Sequence, residues 1–490
     1  MITQLVNGIR KVSRSERRAR NNLGVVNLTG TQANKQFRKP ELERYDAYYE
    51  SRQYDHLMGW DSAAEQDSYV AIRRRKPRFK VAFAKTLAER VVSKLLGDQR
   101  FPMLEVADSP DDQAFLKAVI RESKLKSRLL EPMRRCVNAG SIFVRFYLSG
   151  GAIRVEWYSA KVCYPFFGPA GELELLTVKY TYEDQEDKDA IGNPRKKWFR
   201  MDFGTESEIL YDNPLYVEGQ EPEFQEVARV DHGFGFVQGE WFRTAEIPNS
   251  EDGYGLVADL TEYIDELCYS LSQSSQAVSY NQDPQLTLNG MDEEEIGTLI
   301  RSAMKSWNLG REGEAKFLES NLAGVERAIE LRDKVRLNIQ DISRVVLLDP
   351  EKIVGNAQSA KAMETLHGPL VDLVNELRAP IGDSIKSLVL KMAMAVLIAK
   401  QQGLDVPMDI PAGYAPKGIF AAELVWNPIF QETMEDLQKK VQVASTATSA
   451  NIISRATATR WLAKDFGIED VEAELAEIAK QPILNPFGSF

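Results

Sequence analysis

Residues Asp252–Tyr280 read DGYGLVADLTEYIDELCYSLSQSSQAVSY. Leu256, Leu260, Ile264, Leu267 and Leu271 recur at the spacing of one helical face, which predicts a helix over 252–280. The strip Asn281-Gln282-Asp283-Pro284 breaks it. An insert over 281–322 follows, with Asp292 to Lys305 helical and Gly310 and Gly313 turning. A second helix is predicted over 323–346, where Ala328, Leu331, Val335, Ile339, Ile342 and Val346 share a face. The order is helix, compact insert, helix. Both stripes hold about one residue in 3.5, too thin to bury a helix on all sides within one chain. The charge is equally distinctive. From Thr244 to Ile300 there is no Lys or Arg but there are twelve acids, Asp259, Glu262 and Glu266 among them, and bases return beyond, including Arg332 and Arg336. An acidic helix beside a partly basic one predicts pairing with a neighbouring copy through complementary charge.

Working outward, the 490 residues are 43% hydrophobic and 27% charged, ordinary globular usage that excludes a disordered chain, a fibre and a disulfide scaffold. Three Cys and three His, without C-x-x-C or H-E-x-x-H spacing, are too few and too scattered for most thiol or metal chemistry. The net charge of -11 disfavours wrapping DNA by counterion release, yet suits DNA that passes without sticking. The opening MITQLVNGIRKVSRSERRAR turns basic after an apolar run, the reverse of a secretory leader. The most apolar run, Leu388 to Ala399, holds Lys391 and is too short for a bilayer, so no membrane partner is expected.

Residues 1–75 are polar and punctuated, with the aromatics Tyr45, Tyr48, Tyr49, Tyr54 and Trp60. A helical period runs from 78 to 139, first on Ala84, Leu87, Val91 and Leu95 to Gly97, then from Ser109-Pro110. Residues 140–243 are β-rich. Ser141 to Leu148 turns through Gly150-Gly151 into Ala152 to Trp157, a hairpin, and strands are predicted at 175–182, 197–203, 208–211 and 224–230 between polar loops. After the second long helix Asp349-Pro350 and Gly355-Asn356 force a loop over 347–358. A long helix over 359–402 with kinks at Pro369 and Pro380 follows, then a strand at 421–426 and a helical tail with Ser454 as a cap. The fold class is α+β, mainly helical with an antiparallel β region.

No P-loop, dinucleotide fingerprint or nucleophile elbow is present; Gly233-Phe234-Gly235 reads as a turn. The acidic run 292–295 reads as a solvated helix start and the basic run 73–80 as a solvated face.

Several phrases, in order, resemble those of the portal proteins of tailed double-stranded DNA phages, the head-to-tail connector family: Val91-Val92-Ser93-Lys94-Leu95-Leu96-Gly97, Asn138 to Val144, Ser159 to Pro165, His232-Gly233-Phe234-Gly235 before Trp241, Asp252 to Gly255 with Tyr269 to Ser279, Ser359 to Met363, Trp426-Asn427-Pro428, and Ile453 to Thr457 with Glu472 to Leu475. The resemblance covers roughly 78–480 and implies a portal fold of wing, stem, clip and crown. Residues 1–251 would be the N-terminal part of the wing, 252–280 and 323–346 the stem, and 281–322 the clip. The tunnel loop would be 347–358, the rest of the wing 359–430, and the crown 431–490.

The resemblance further implies a ring, usually of about twelve copies, at a capsid vertex of the virion, with assembly in the host cytoplasm. DNA is packaged and ejected through the ring without catalysis or a cofactor. The implied partners are the large terminase subunit, a head-tail adaptor, the major capsid and scaffolding proteins, and double-stranded DNA without sequence preference. It places Lys352, Asn356 and Arg344 toward DNA, Leu286, Leu288, Trp307 and Phe317 at a clip docking surface, and Asp259, Glu262, Glu266, Arg332 and Arg336 between subunits. The alternatives are an enzyme with an unrecognised active site and a β-rich insert, or a shorter virion ring such as an adaptor.

Overall fold

The computed structural model describes residues 28–282, 285–289, 314–318, 323–346, 367–430 and 434–480, less a few stretches of one to three positions within them. The chain divides into two compact units, residues 1–345 with 373–427 and residues 346–372 with 428–490.

The first unit opens with α1 (Leu28–Tyr49), in the segment expected to be merely polar. Leu42, Tyr45, Tyr48 and Tyr49 are buried, so the aromatic patch is core. The helix α2 (Phe83–Leu96) buries Ala84, Leu87, Val91 and Leu95, the face its spacing predicts. The short strand β1 (Met103–Glu105) leads to α3 (Pro110–Glu122). Pro110 takes the first turn as expected, but Ser109 makes no capping bond to the helix. The helix α4 (Leu130–Ala139) packs on α1 and α2 and ends at Gly140, whose φ of +96° favours glycine.

Two antiparallel sheets follow. The strands β2 (Ser141–Ser149) and β3 (Ala152–Ser159) form the expected hairpin, with Gly150 and Gly151 at φ +56° and +67°. Then come β4 (Cys163–Phe167), β5 (Leu173–Lys188), β6 (Pro194–Gly204), β7 (Ser207–Tyr211), β8 (Glu226–Asp231) and β9 (Gly239–Arg243). The sheet orders are β9-β2-β3 and β8-β7-β6-β5-β4. Phe143 of one sheet meets Phe203 of the other at 5.6 Å between ring centres, and Arg145 reaches across to Glu208 at 2.5 Å. The polar stretch 183–196, expected as a loop, is mostly strand. Lys197 pairs with Asp184 and Asp187 at 2.9 and 2.8 Å, so charged side chains complement one another along the ribbon instead of demanding a loop. Only 189–193 turn, held by Asp189 accepting from the N–H groups of Ile191 and Asn193. The segment 163–167 is an edge strand, where Pro165 is tolerated.

The long helices are α5 (Thr261–Gln282) and α6 (Ala323–Ser343), which pack on each other. Between them β10 (Gln285–Asn289) pairs antiparallel with β11 (Glu314–Leu318), a ribbon not legible in the sequence. The expected helix over 292–305 lies outside the described residues. The helix α7 (Gly368–Gln401) carries Pro369 in its first turn, where no hydrogen bond is lost, so the expected kink there is instead a start. Pro380 lies inside α7. The run 388–399 is a core helix, with Leu388, Val389, Met392 and Val396 fully buried. Among the described residues no helix is long and apolar enough to cross a membrane. The strand β12 (Glu423–Val425) pairs with β1.

The second unit holds α8 (Met434–Ser449), α9 (Arg455–Ala463) and α10 (Val471–Lys480). Ser454 caps α9 as predicted, its Oγ accepting from the Thr457 N–H at 3.1 Å.

Glycine at 140 is a steric requirement as well as a conformational one. A Cβ there would lie 2.0 Å from the carbonyl oxygen of Gly253, whereas one on Gly150 meets nothing within 4 Å. Gly140→Ala is expected to cost about 3 kcal/mol or more, and Gly150→Ala about 1 kcal/mol. Denaturant unfolding of the two variants checks the difference; equal costs would refute the close approach.

Candidate functional site at the root of the paired helices

The paired helices rise from a junction built by residues far apart in sequence. Residues 252–260, expected to be helical, are irregular to Gly255 and turns over 256–260, and α5 begins at Thr261. The reason lies in where their backbone donors go. The Gly253 N–H donates to Ser141 Oγ at 2.9 Å, and the Leu256 N–H to the Val137 carbonyl at 2.9 Å. In return the Gly140 carbonyl accepts from the Thr244 N–H at 3.0 Å. Three glycines permit the contact. A Cβ on Gly253 or Gly255 would come within 2.6 Å of the carbonyl oxygen of Gly140 or Asn138.

A buried ion pair closes the junction. Arg38 of α1 donates from Nε to Asp252 Oδ2 at 2.5 Å and from Nη2 to Oδ1 at 3.0 Å, a bidentate pair, and its Nη1 reaches the Cys163 carbonyl at 2.8 Å. Both side chains are about nine-tenths buried. Burial works against the arginine charge, but the hydrogen bond and charge of Asp252 prevail and hold its pKa above the ordinary value. Burial pushes the nearby Cys136 and Cys163 thiols upward, which leaves them unreactive.

Farther along, residues 54–81 line α5. Tyr54 donates to Asp265 at 2.5 Å, Trp60 Nε1 to Gln276 Oε1 at 2.5 Å, and Tyr269 donates to the Arg73 and Arg75 carbonyls at 3.1 Å each. In the basic run 73–80, Arg73, Arg74 and Arg78 are exposed, as expected of a solvated face, and Arg75 is the exception. Arg73 pairs with Glu266, Lys76 and Lys80 share Asp55 at 2.9 and 3.0 Å, Arg78 pairs with Asp61, and Arg75 is buried between the rings of Trp60 and Tyr69. The two lysines hold the Asp55 carboxyl down at about 2.

The residues expected between copies divide. Glu266 is taken by Arg73, and Asp259 accepts from Tyr254. Glu262 is exposed and, among the described residues, in no ion pair. Arg332 contacts Asp333 beside it on α6 at 2.8 Å, while Arg336 is exposed. Arg344, expected toward DNA, pairs with Glu376 at 2.7 Å on the protein surface. Lys352, Asn356 and Trp307 lie outside the described residues. Leu286 stands opposite Phe317 in the β10–β11 ribbon, and Leu288 opposite Ala315, so these positions share one face.

Of the predicted stripe Leu260, just before α5, and Ile264 and Leu267 on it are buried, as are their neighbours Val257 and Cys268, while Leu256 and Leu271 are half-buried. On α6 only Val335 and Ile339 of the predicted stripe are buried; Leu331 and Ile342 are 48% and 40% exposed, and Leu337 is 56% exposed on the opposite face. Among the described residues no group of His, Cys, Asp and Glu could hold a metal.

Breaking the Arg38–Asp252 pair from one side strands a buried charge. Arg38→Met is expected to cost about 3–5 kcal/mol. The double variant Arg38→Met, Asp252→Asn recovers a good part of that in denaturant unfolding. A single variant as stable as the parent would show that the pair does not hold the junction.

Comparison with known proteins bears on what such an assembly serves. No curated protein sequence matches the chain. A family model described as phage portal protein, SPP1 Gp6-like, matches residues 31–482, which takes in α1, the two sheets, the glycine junction, the paired helices and the helical tail. The match spans nearly the whole chain, and the chain belongs to the phage portal protein family, a structural family of the virion capsid.

Proposed function

We propose that copies of this chain form a ring at a capsid vertex through which double-stranded DNA is packaged and ejected. In this reading α5 and α6 are the stem, 281–322 the clip that docks the terminase and a head-tail adaptor, and 347–358 a tunnel loop. Residues 431–490 are the crown, the rest the wing, and capsid and scaffolding proteins the surrounding partners. The observation that carries the reading is the uncovered second helix. Val278 of α5 and Ile329, Leu331, Leu337 and Ile342 of α6 are all more than a third exposed. Each such side chain forgoes about 1 kcal/mol of burial, which a neighbouring stem recovers in a ring.

The magnitudes also rank the contacts. An exposed ion pair contributes about 0–1 kcal/mol and is screened by salt, so the apolar positions hold the ring. Glu262 and Arg336 set its register and rate. Leu337→Glu is expected to leave the helical content unchanged and convert rings into small species in sedimentation and negative-stain images. Glu262→Lys is expected to slow assembly at low salt only. Rings at parental yield from Leu337→Glu would overturn the reading.

Lys352 is the only base in 347–358. One lysine per copy gives a ring-wide belt that contacts phosphates without reading bases. Lys352→Glu is expected to leave rings intact and to lower packaged genome length or retention in particles. Full genomes at normal yield would show that the loop has no electrostatic role.

A further inference from the structure

The helix α6 packs on α5 through a narrow stripe, Val335, Ile339 and Ser343, all buried and one helical turn apart. The opposite face carries Glu326, Glu330, Asp333, Leu337 and Asp341, again at helical spacing and all exposed. That outward face is acidic, with the apolar Leu337 set among the carboxylates. Among the described residues Glu326, Glu330 and Asp341 are in no ion pair, while Asp333 meets the adjacent Arg332.

The other flank of α5 has the opposite sign. It is taken by the segment that bonds to Asp265, Tyr269, Ser272 and Gln276. Residues 71–81 of that segment read AIRRRKPRFKV, with six bases and no acid. Arg73, Arg74 and Arg78 are exposed, and among the described residues Arg74 is in no ion pair. Tyr69, against Arg75, and Phe79, next to Arg78, are 79% and 48% exposed. Each copy thus carries an acidic surface on one flank of the helix pair and a basic one on the other. A head-to-tail ring needs two such unlike, complementary surfaces.

Their heights also match. Gln285, just beyond α5, pairs with Leu318, just before α6, so the two helices run antiparallel and residues equally far from that joint are level. Fourteen residues back from Gln282 is Cys268, and fourteen on from Ala323 is Leu337. Cys268 Sγ accepts from the Val81 N–H at 3.4 Å, and Ser272 Oγ, level with Asp333, from the Phe79 N–H at 3.3 Å. Arg73 pairs with Glu266, nearer the root, so Arg74 beside it is level with the stretch between Leu337 and Asp341. Rotation about a ring axis changes no height along it. A stem along that axis therefore meets its neighbour at its own level.

We propose that the outward face of α6 in one copy seats on residues 69–81 of the next, with Leu337 against Phe79 and Asp341 against Arg74. The proposal rests on the reading of α5 and α6 as the stem of a ring. The test uses assembled rings with Leu337→Cys paired in turn with Tyr69→Cys, Arg78→Cys or Phe79→Cys. The native cysteines 136, 163 and 268 are all buried. Under mild oxidation at least one pair is expected to give a ladder of linked chains on a non-reducing gel, and the single variants none. Val278→Cys with Leu337→Cys, ten residues apart in level and so separated by about 15 Å, is expected to give none. In a second measurement at low salt, Arg74→Glu and Asp341→Arg are each expected to slow ring assembly up to about fivefold. The double variant regains the parental rate. A ladder from the Val278 pair, intrachain links only, no link in intact rings, or a double variant as slow as the single ones overturns the proposal and leaves the ring standing. A parent protein that forms no rings overturns both. If the cysteine pairs do not assemble, the charge exchange decides alone.

Discussion

The backbone contact between Gly140 and Gly253 is the constraint on which the first unit depends. Two chain segments more than a hundred residues apart meet with no side chain between them. One is the corner where α4 becomes β2, the other the turn from which α5 rises. Because the contact is backbone on backbone, a side chain at either glycine would force the two segments apart. Arg38 then draws α1 onto the same point by a buried bidentate pair with Asp252. Helices, sheet and paired helices thus share one origin, and an element that emerges from it needs little core farther out.

That architecture explains an apparent contradiction in charge. The stretch 244–300 carries twelve acids and no base, yet three of those acids are answered within the chain, Asp252 by Arg38, Glu266 by Arg73 and Glu246 by Arg243. Of these pairs only Arg38–Asp252 is buried, and there an unpaired carboxylate would be costly. Farther out, on the exposed parts of α5 and α6, apolar side chains remain uncovered. Within the chain the root is held by buried apolar side chains together with one buried ion pair.

Much of the fold was legible because local periodicity carried it. The α2 stripe on Leu87, Val91 and Leu95, the Gly150-Gly151 hairpin and the Ser454 cap all rest on interactions within about ten residues of sequence. The helix α1 was missed although Leu42, Tyr45 and Tyr49 keep helical spacing; Pro40 and the polar surroundings masked the signal. The strands flanking 189–193 were missed because their ordering agent is charge complementarity across the ribbon, which alternation of apolar residues does not report.

The sequence by itself determined the α+β class, the helix–insert–helix order, the family and the absence of known catalytic motifs, since these follow from composition, period and local phrases. Only the tertiary structure decided which charges are spent inside the chain, that 252–260 are not helical, and that Gly140, Gly253 and Gly255 form one junction. Those outcomes depend on which backbone donors and carboxylates find partners from distant segments, and a linear pattern carries no information about such distances until the chain has folded.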